Sequence, residues 1–175
     1  MPGMRNQSHR SGTVLIRPMT MADTRICAAI VCNSIIGERY GFTIEPMTGT
    51  LAAAIQSGGE LFVAQLDEAV AGFAWIDARG AFSSAPYLRL IAVDESVRGS
   101  GIGAALLAEF EARTAAIGRD WCLLVSDFNL SAQSFYEKKG YRRAGALPDF
   151  ARPGITEILM VKKRPADGVT PIQNA

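Results

Sequence analysis

The sequence predicts a mixed α/β domain with a single central mixed sheet, mostly antiparallel, of about seven strands and with helices on both faces. Three observations carry this. Segments of strand and helix period follow in the order strand, helix, helix, three strands, helix, strand, helix, two strands. The segment 86–127 reads strand–helix–strand, which makes its two strands parallel. Asp67 and Glu68 alone separate two apolar runs and signal a tight antiparallel hairpin.

The first strand is "TVLIRP" (13–18), closed by its proline. "MADTRICAAIVCNSII" (21–36) has the period of one helix, capped by Thr20 or Asp23. Residues 37–46, with two glycines and a proline, read as irregular, and "MTGTLAAAIQSGG" (47–59) as a shorter helix stopped by glycine. The hairpin strands "ELFVAQL" and "AVAGFAWIDA" follow, then a loop, then the strand "PYLRLIAV" (86–93). In 101–118 Ile102, Leu106 and Phe110 share a helical face, Glu109 and Arg113 fall elsewhere, and Gly118 ends the helix. "WCLLVSD" (121–127) is apolar throughout, as a strand covered on both faces requires. "LSAQSFYEKKG" (130–140) is a helix with lysines in its last turn and Gly140 as its stop. "YRRAGAL" and "GITEILMVKK" close the chain as strands. Residues 12–164 form one domain, and 1–11 and 165–175 are polar, flexible ends.

Composition narrows the function. A net charge of +1 offers no field to draw in nucleic acid. Three cysteines, Cys27, Cys32 and Cys122, form no C-x-x-C pair, which argues against a disulfide framework and a zinc site and fits a reducing cytoplasm. The N-terminus has no apolar core of a signal peptide, and no run reaches the roughly eighteen apolar residues of a membrane helix. The only histidine, His9, lies in the polar tail, so a histidine base, a catalytic triad or a histidine-rich metal site is not expected; no metal is.

The stretch that points to chemistry is Arg98-Gly99-Ser100-Gly101-Ile102-Gly103, where a helix begins. A helix N-terminus leaves about four N–H groups unpaired at the positive end of its dipole. Glycines let a bulky anion such as a pyrophosphate approach those groups, and Arg98 adds a charged donor. "GSGIGA" formally satisfies the dinucleotide pattern G-x-G-x-x-A, which would make the chain a nicotinamide-dependent dehydrogenase. However, "DESVR" intervenes between strand and glycines, and nearly 90 residues precede the unit. A P-loop fails for want of Gly-Lys-Ser/Thr. Tight strand–helix packing would explain one glycine more easily than three beside an arginine.

"VRGSGIGAALL" after "LRLIAV" resembles the acetyl-CoA pyrophosphate loop of the GNAT superfamily of N-acetyltransferases, pattern Q/R-x-x-G-x-G/A, filled by Arg98, Gly101 and Gly103. "NLSAQSFYEKKGY" (129–141) is similar to the family's later stretch, with Asn129, Ala132, Tyr136 and Gly140 in place, and "IRPMTMAD" and "VAGFAWI" agree. The resemblance spans roughly 13–163. It implies an acyl-CoA N-acyltransferase-like fold with acetyl-CoA as co-substrate. The implied reaction is direct attack by a small polar primary amine, amino-acid-like or similar, in a ternary complex. Cofactor contacts fall by resemblance on Ile91, Val93, Arg98, Gly99, Ser100, Gly101, Ile102, Gly103, Asn129, Ala132 and Tyr136.

By the same resemblance the Val93 N–H receives the oxyanion, Ile91 pairs with the pantetheine arm, and Tyr136 donates a proton to the leaving thiolate. Asn129 lines the arm or simply caps a helix. Asp127, Asp94, Glu38 and Glu45 are the candidate bases. The acceptor pocket draws on 37–46, 79–87 and 146–155, with Glu38, Arg39, Tyr40, Phe42, Tyr87, Asp149, Phe150 and Arg152. No cysteine falls in the motifs, which disfavours a covalent enzyme intermediate. The alternatives are a non-catalytic acyl-CoA sensor or scaffold, and acetylation of a protein N-terminus or lysine. Homodimers are common in the family, though no patch here demands one.

Overall fold

The computed structural model describes residues 13–164; His9 and the end segments 1–11 and 165–175 lie outside the described residues. The strands are β1 (Val14–Pro18), β2 (Glu60–Leu66), β3 (Ala69–Ala81), β4 (Ala85–Val93), β5 (Trp121–Ser126), β6 (Arg142–Pro148) and β7 (Thr156–Lys162). They form one sheet in the order β1-β2-β3-β4-β5-β7-β6. Every pairing is antiparallel except β4–β5, the parallel pair that the crossover dictates.

Helices α1 (Thr24–Cys32) and α3 (Ile44–Gln56) cover one face, where Cys27, Val31 and Leu51 meet Val63 and Phe73. Helices α4 (Ile102–Arg113) and α5 (Leu130–Lys138) cover the other, where Ile102, Leu106, Phe110 and Tyr136 meet Phe62, Leu88 and Leu123. The predicted apolar stripe of α4 is therefore its buried face, and the Glu109–Arg113 pair lies outside it at 2.7 Å.

Three expectations are corrected. The predicted helix 21–36 is broken: Met21–Asp23 is a 3-10 turn, α1 ends at Cys32, and a separate α2 (Ile35–Tyr40) occupies the stretch read as irregular. Ser34 starts α2 by accepting the Gly37 N–H at 3.3 Å. Gly37 is required because a Cβ there would lie 2.3 Å from the Cys32 carbonyl oxygen, so only glycine lets α2 fold back on α1. Helix α3 starts at Ile44, before Pro46, because a proline in the first turn removes no helical hydrogen bond. Finally, the loop after β3 is a tight turn, with Phe82 and Ser83 at φ 53° and 54°. The Asp67-Glu68 hairpin uses the same backbone, with φ 49° and 68°.

The start of α1 is held by a buried carboxylate. Asp23 accepts two bonds from Arg17, at 2.7 and 2.9 Å, and two from Thr20, from its N–H and its hydroxyl, both at 2.8 Å. Led by the Arg17 guanidinium, these donors hold the Asp23 carboxyl far below the usual carboxylate range. A depressed carboxyl contributes stability that is present at neutral pH and lost as pH falls below the unfolded value of about 4. Asp23→Ala is expected to lower the unfolding free energy by about 3 kcal/mol at pH 7. Urea denaturation from pH 7 to pH 3 should show that gap narrowing with acidity.

Candidate active site

The site begins with a defect in the sheet. Ile76 of β3 faces Leu88 of β4, but the next residue back, Trp75, faces Leu90. Arg89 is thus an extra residue, a β-bulge that bends and twists its strand. Pairing of β4 with β5 stops at the same point, with Tyr87↔Cys122 and Leu88↔Leu123 the only partners. Beyond it the strands diverge, and among the described residues no strand lies beside that edge of β4. Asp94 N–H bonds back to Ala71 O at 2.8 Å, and a Cβ on Gly72 would lie 2.7 Å from Ala92 O. By strand alternation Ile91 and Val93 therefore turn their backbone groups toward the free edge. The gap opens a groove of about 1230 Å³ that reaches both faces of the sheet.

At one end lies the glycine turn. Gly99 and Gly101 have φ of 81° and 90°, a backbone open to glycine and strained for other residues, and a Cβ on either would meet nothing within 4 Å. Tight packing therefore explains neither. Gly103 differs, since a Cβ there would make ordinary contact with Phe135 and Val93 at 3.7 Å. No side chain caps α4 at Gly101, which leaves its first N–H groups available to an anion. Gly99, Gly101, Ile102 and Gly103 line the groove with Arg98, whose side chain pairs with Glu95 at 3.1 Å. Both partners of that pair are exposed, and such a pair contributes less than about 1 kcal/mol, so Arg98 is released easily. Ser100 turns its hydroxyl to the Val97 carbonyl instead.

Helix α5 forms the adjoining wall. Asn129 caps it, accepting the Ala132 N–H at 3.2 Å, and both residues line the groove. The cap and groove-lining readings of Asn129 are therefore compatible. Tyr136 is 5% exposed and packed edge-on against Phe135 and Tyr141. Its hydroxyl has no hydrogen-bond partner among the described residues, and none of their buried polar side-chain atoms is unsatisfied. The hydroxyl therefore opens onto the groove that Tyr136 lines. Burial pushes the phenol far above its usual value, with the neighbouring Tyr87 adding to the shift.

The opposite face carries a cluster with one member the sequence reading missed. Tyr40 of α2 donates to Glu157 Oε1, Ser126 Oγ donates to the same oxygen at 3.2 Å, and Tyr40 Oη lies 3.0 Å from Ser126 Oγ. Burial, then the bond to Glu157, pushes Tyr40 up to about 12. Phe42 stacks on Tyr40 at 5.5 Å, and Arg152 donates to the Tyr40 carbonyl. Tyr87 also faces the groove and is raised, first by burial and also by Glu157. A signal for Glu157 was present in strand period: it shares a face with Ile155, Leu159 and Val161, a lone carboxylate in an apolar row.

The four carboxylates expected from sequence lie elsewhere or at the rim. Glu45 pairs with Arg25 at 2.7 Å, away from the groove. Asp94 accepts Ser96 Oγ at 2.6 Å and Ser96 N–H at 2.9 Å, and these bonds lower its pKa. Asp127 is exposed and outside the lining, whereas Glu38 is exposed at the groove's mouth. Of the other acceptor-pocket candidates, Phe150 lines the groove, Arg39 sits over the Phe128 ring at 4.4 Å, and Asp149 closes its own loop on the Gly154 N–H.

Residues 57–143 match the family described as the acetyltransferase (GNAT) domain. The chain belongs to the GNAT superfamily. A blasticidin-S acetyltransferase from Streptomyces morookaense is 38% identical over 81 residues, 44% of this chain and 56% of that protein. An uncharacterised N-acetyltransferase from Methanocaldococcus jannaschii is 39% identical over 77 residues, 43% of this chain and 49% of that one. The chain thus spans about half the length of the curated relatives it matches. An N-acetyltransferase structure from Staphylococcus aureus superposes with a TM-score of 0.69 at 22% identity, covering 85% of this chain and 97% of that one. A Salmonella typhimurium structure, described with its cofactor acetyl-CoA, gives 0.64 at 14% identity, covering 89% and 96%. Both likenesses concern the fold. Among the described residues no helix is long and apolar enough to cross a membrane.

The glycines of this GNAT loop differ in role, and that is testable by stability alone. Gly101→Ala forces a left-handed alanine and is expected to cost about 1–2 kcal/mol. Gly103→Ala makes only ordinary contacts and gains helix propensity, so it should be neutral or stabilising by up to about 1 kcal/mol. Paired urea denaturation curves check both.

Proposed function

We propose that this chain is an acetyl-CoA-dependent N-acetyltransferase whose acceptor is a small polar primary amine, attacking the thioester directly in a ternary complex. The observation that carries this reading is one groove. It joins the uncapped α4 terminus, the free edge of β4 and the Tyr136 hydroxyl to Tyr40 and Glu157 across the sheet. The relative named for blasticidin-S supports a small-molecule acceptor.

The N–H groups of 99–103, with Arg98 released from Glu95, bind the pyrophosphate. Ile91 pairs with the pantetheine arm along the free edge of β4, and Asn129 and Ala132 flank it. The Val93 N–H donates to the oxyanion, in a setting where fixed dipoles act strongly. Tyr136, kept protonated by its burial, gives its proton to the departing sulfur. Burial raises the Cys27, Cys32 and Cys122 thiols, Cys27 to about 12, which makes each a poor nucleophile and favours direct attack. Three free thiols also suit the reducing cytoplasm.

Calorimetric titration tests this directly. Wild type should bind acetyl-CoA and not NADH. Gly101→Glu, which sets a carboxylate against the pyrophosphate, should weaken that binding about 30-fold or more while the protein stays folded. Arg98→Ala should weaken it about 3- to 30-fold. Absence of acetyl-CoA binding by wild type overturns the reading.

Tyr136→Phe is expected to leave acetyl-CoA affinity within about twofold and to lower turnover about 100-fold. Thiol release under saturating acetyl-CoA measures this, and unchanged turnover removes Tyr136 from the acid's role.

A further inference from the structure

Glu157 is 5% exposed, yet no lysine or arginine among the described residues pairs with it. Taking a carboxylate out of water is costly, and buried ones are almost always paired. Here the two hydroxyls of Tyr40 and Ser126 both address Oε1. Oε2 accepts nothing from the described residues, and none of their buried polar side-chain atoms lacks a partner, so Oε2 opens onto the groove. The ionisable groups facing the cluster are Tyr40 from α2 and Tyr87 from β4, both phenols with raised pKa; Asp127 acts on Tyr40, and Arg89 of β4 lines the groove and acts on Tyr87 but forms no ion pair with Glu157. A phenol with a raised pKa brings no charge. The site is therefore an anion on the groove wall with one oxygen fixed, one oxygen free and no ion-pair partner among the described residues.

We propose that Glu157 is the acceptor subsite. Its free oxygen receives the ammonium of the acceptor amine and takes the proton that must leave before the nitrogen can attack. The ligand class is a small primary amine that is cationic in free solution. This rests on the acetyltransferase reading above and adds the base that the reading lacks.

The protons balance. Glu157 Oε2 takes one proton from the ammonium and returns it to solvent through the open groove. The freed lone pair forms the C–N bond to the acetyl carbon, and the thioester C–S bond breaks. Tyr136 protonates the leaving sulfur and is restored by the second proton lost from nitrogen. An ammonium and a thioester thus become an amide, a thiol and one released proton. Tyr40 and Ser126 act as positioning residues, since they clamp Oε1 and so aim Oε2. Because Tyr40 is the last residue of α2, the fold-back at Gly37 sets the clamp's position.

The test compares wild type, Glu157→Gln and Glu157→Asp by thiol release. The panel is small primary amines, from alkylamines and amino-acid amides to weakly basic methoxyamine, with acetyl-CoA affinity measured alongside. Glu157→Gln should keep acetyl-CoA affinity within about twofold and lose about 100-fold or more in kcat/KM for basic amines at pH 7. It should lose less than about tenfold with methoxyamine, whose nitrogen is already neutral, and should recover toward wild type as pH rises toward the amine's own pKa. A merely structural glutamate would depress both amine classes alike and show no such recovery, and that result overturns the proposal. If the glutamine variant does not fold, Glu157→Asp, which keeps the charge but withdraws it by one methylene, reads the same ratio between amine classes. Wild type that binds acetyl-CoA but acetylates no amine of the panel overturns the subsite assignment. Wild type that does not bind acetyl-CoA overturns the acetyltransferase reading instead.

Discussion

The extra residue in β4 governs the rest of the molecule. Without the bulge at Arg89, β4 and β5 would continue their parallel ladder past Leu88 and Leu123, and the sheet would be closed where the groove now runs. The bulge also resets which side chains face which way. Leu88 packs with α4 and α5 before it, and Ile91 and Val93 pack there after it, although strand parity alone would send them to the opposite face. One inserted residue thus opens the sheet, frees a strand edge and keeps both cores filled. The backbone groups left unpaired would be costly in a dry interior. They persist because the groove is open to water or to a ligand that replaces the missing strand.

Much of this was legible because it is local. The β4–α4 turn is encoded in consecutive residues, and its glycines announce a backbone that other residues resist. The Asp67-Glu68 turn and the apolar stripe of α4 are short-range patterns of the same kind. What escaped the reading depends on distance. Proline and glycine in 37–46 suggest a loop, yet Gly37 is there because the Cys32 carbonyl lies against it, a contact visible only once α2 has folded back. Pro46 likewise looks like a stop until the helix is seen to start at Ile44, which places the proline in its first turn. Of the four expected carboxylates, Asp94 and Asp127 lie beside the two motifs in sequence and Glu38 and Glu45 in the segment after the first helix. Strand period marks Glu157 as a lone carboxylate in an apolar row, but the partners it meets, Tyr40 across 117 positions and Ser126 across 31, are set by the fold alone.

The two halves of the groove also differ in origin. The family match, residues 57–143, contains the glycine turn, the free edge of β4 and Tyr136, all of them on the side proposed above for acetyl-CoA. Tyr40 and Glu157 lie outside that span, on α2 and β7. A donor common to a superfamily can be held by a constant turn, whereas an acceptor must be recognised by parts that are free to differ. The sheet's opening makes this division workable in the proposed reading, in which each half binds from its own face and the two ligands meet in the gap.

That division has an energetic consequence at Glu157. A buried carboxylate held by two neutral hydroxyls, with no ion-pair partner among the described residues, leaves the empty groove less stable than an apolar wall of the same shape would. A cation entering the groove relieves that cost, whereas a neutral molecule of similar size does not. If Glu157 is the acceptor subsite proposed above, selectivity for charged amines follows from the wall's unmet charge and needs no close fit around the rest of the acceptor. Once the ammonium has given its proton to Glu157, both partners are neutral and the ion-pair attraction is gone. Attraction to the wall is therefore strongest in the ground state and weakens as the nitrogen becomes nucleophilic, which favours its departure across the gap toward the thioester.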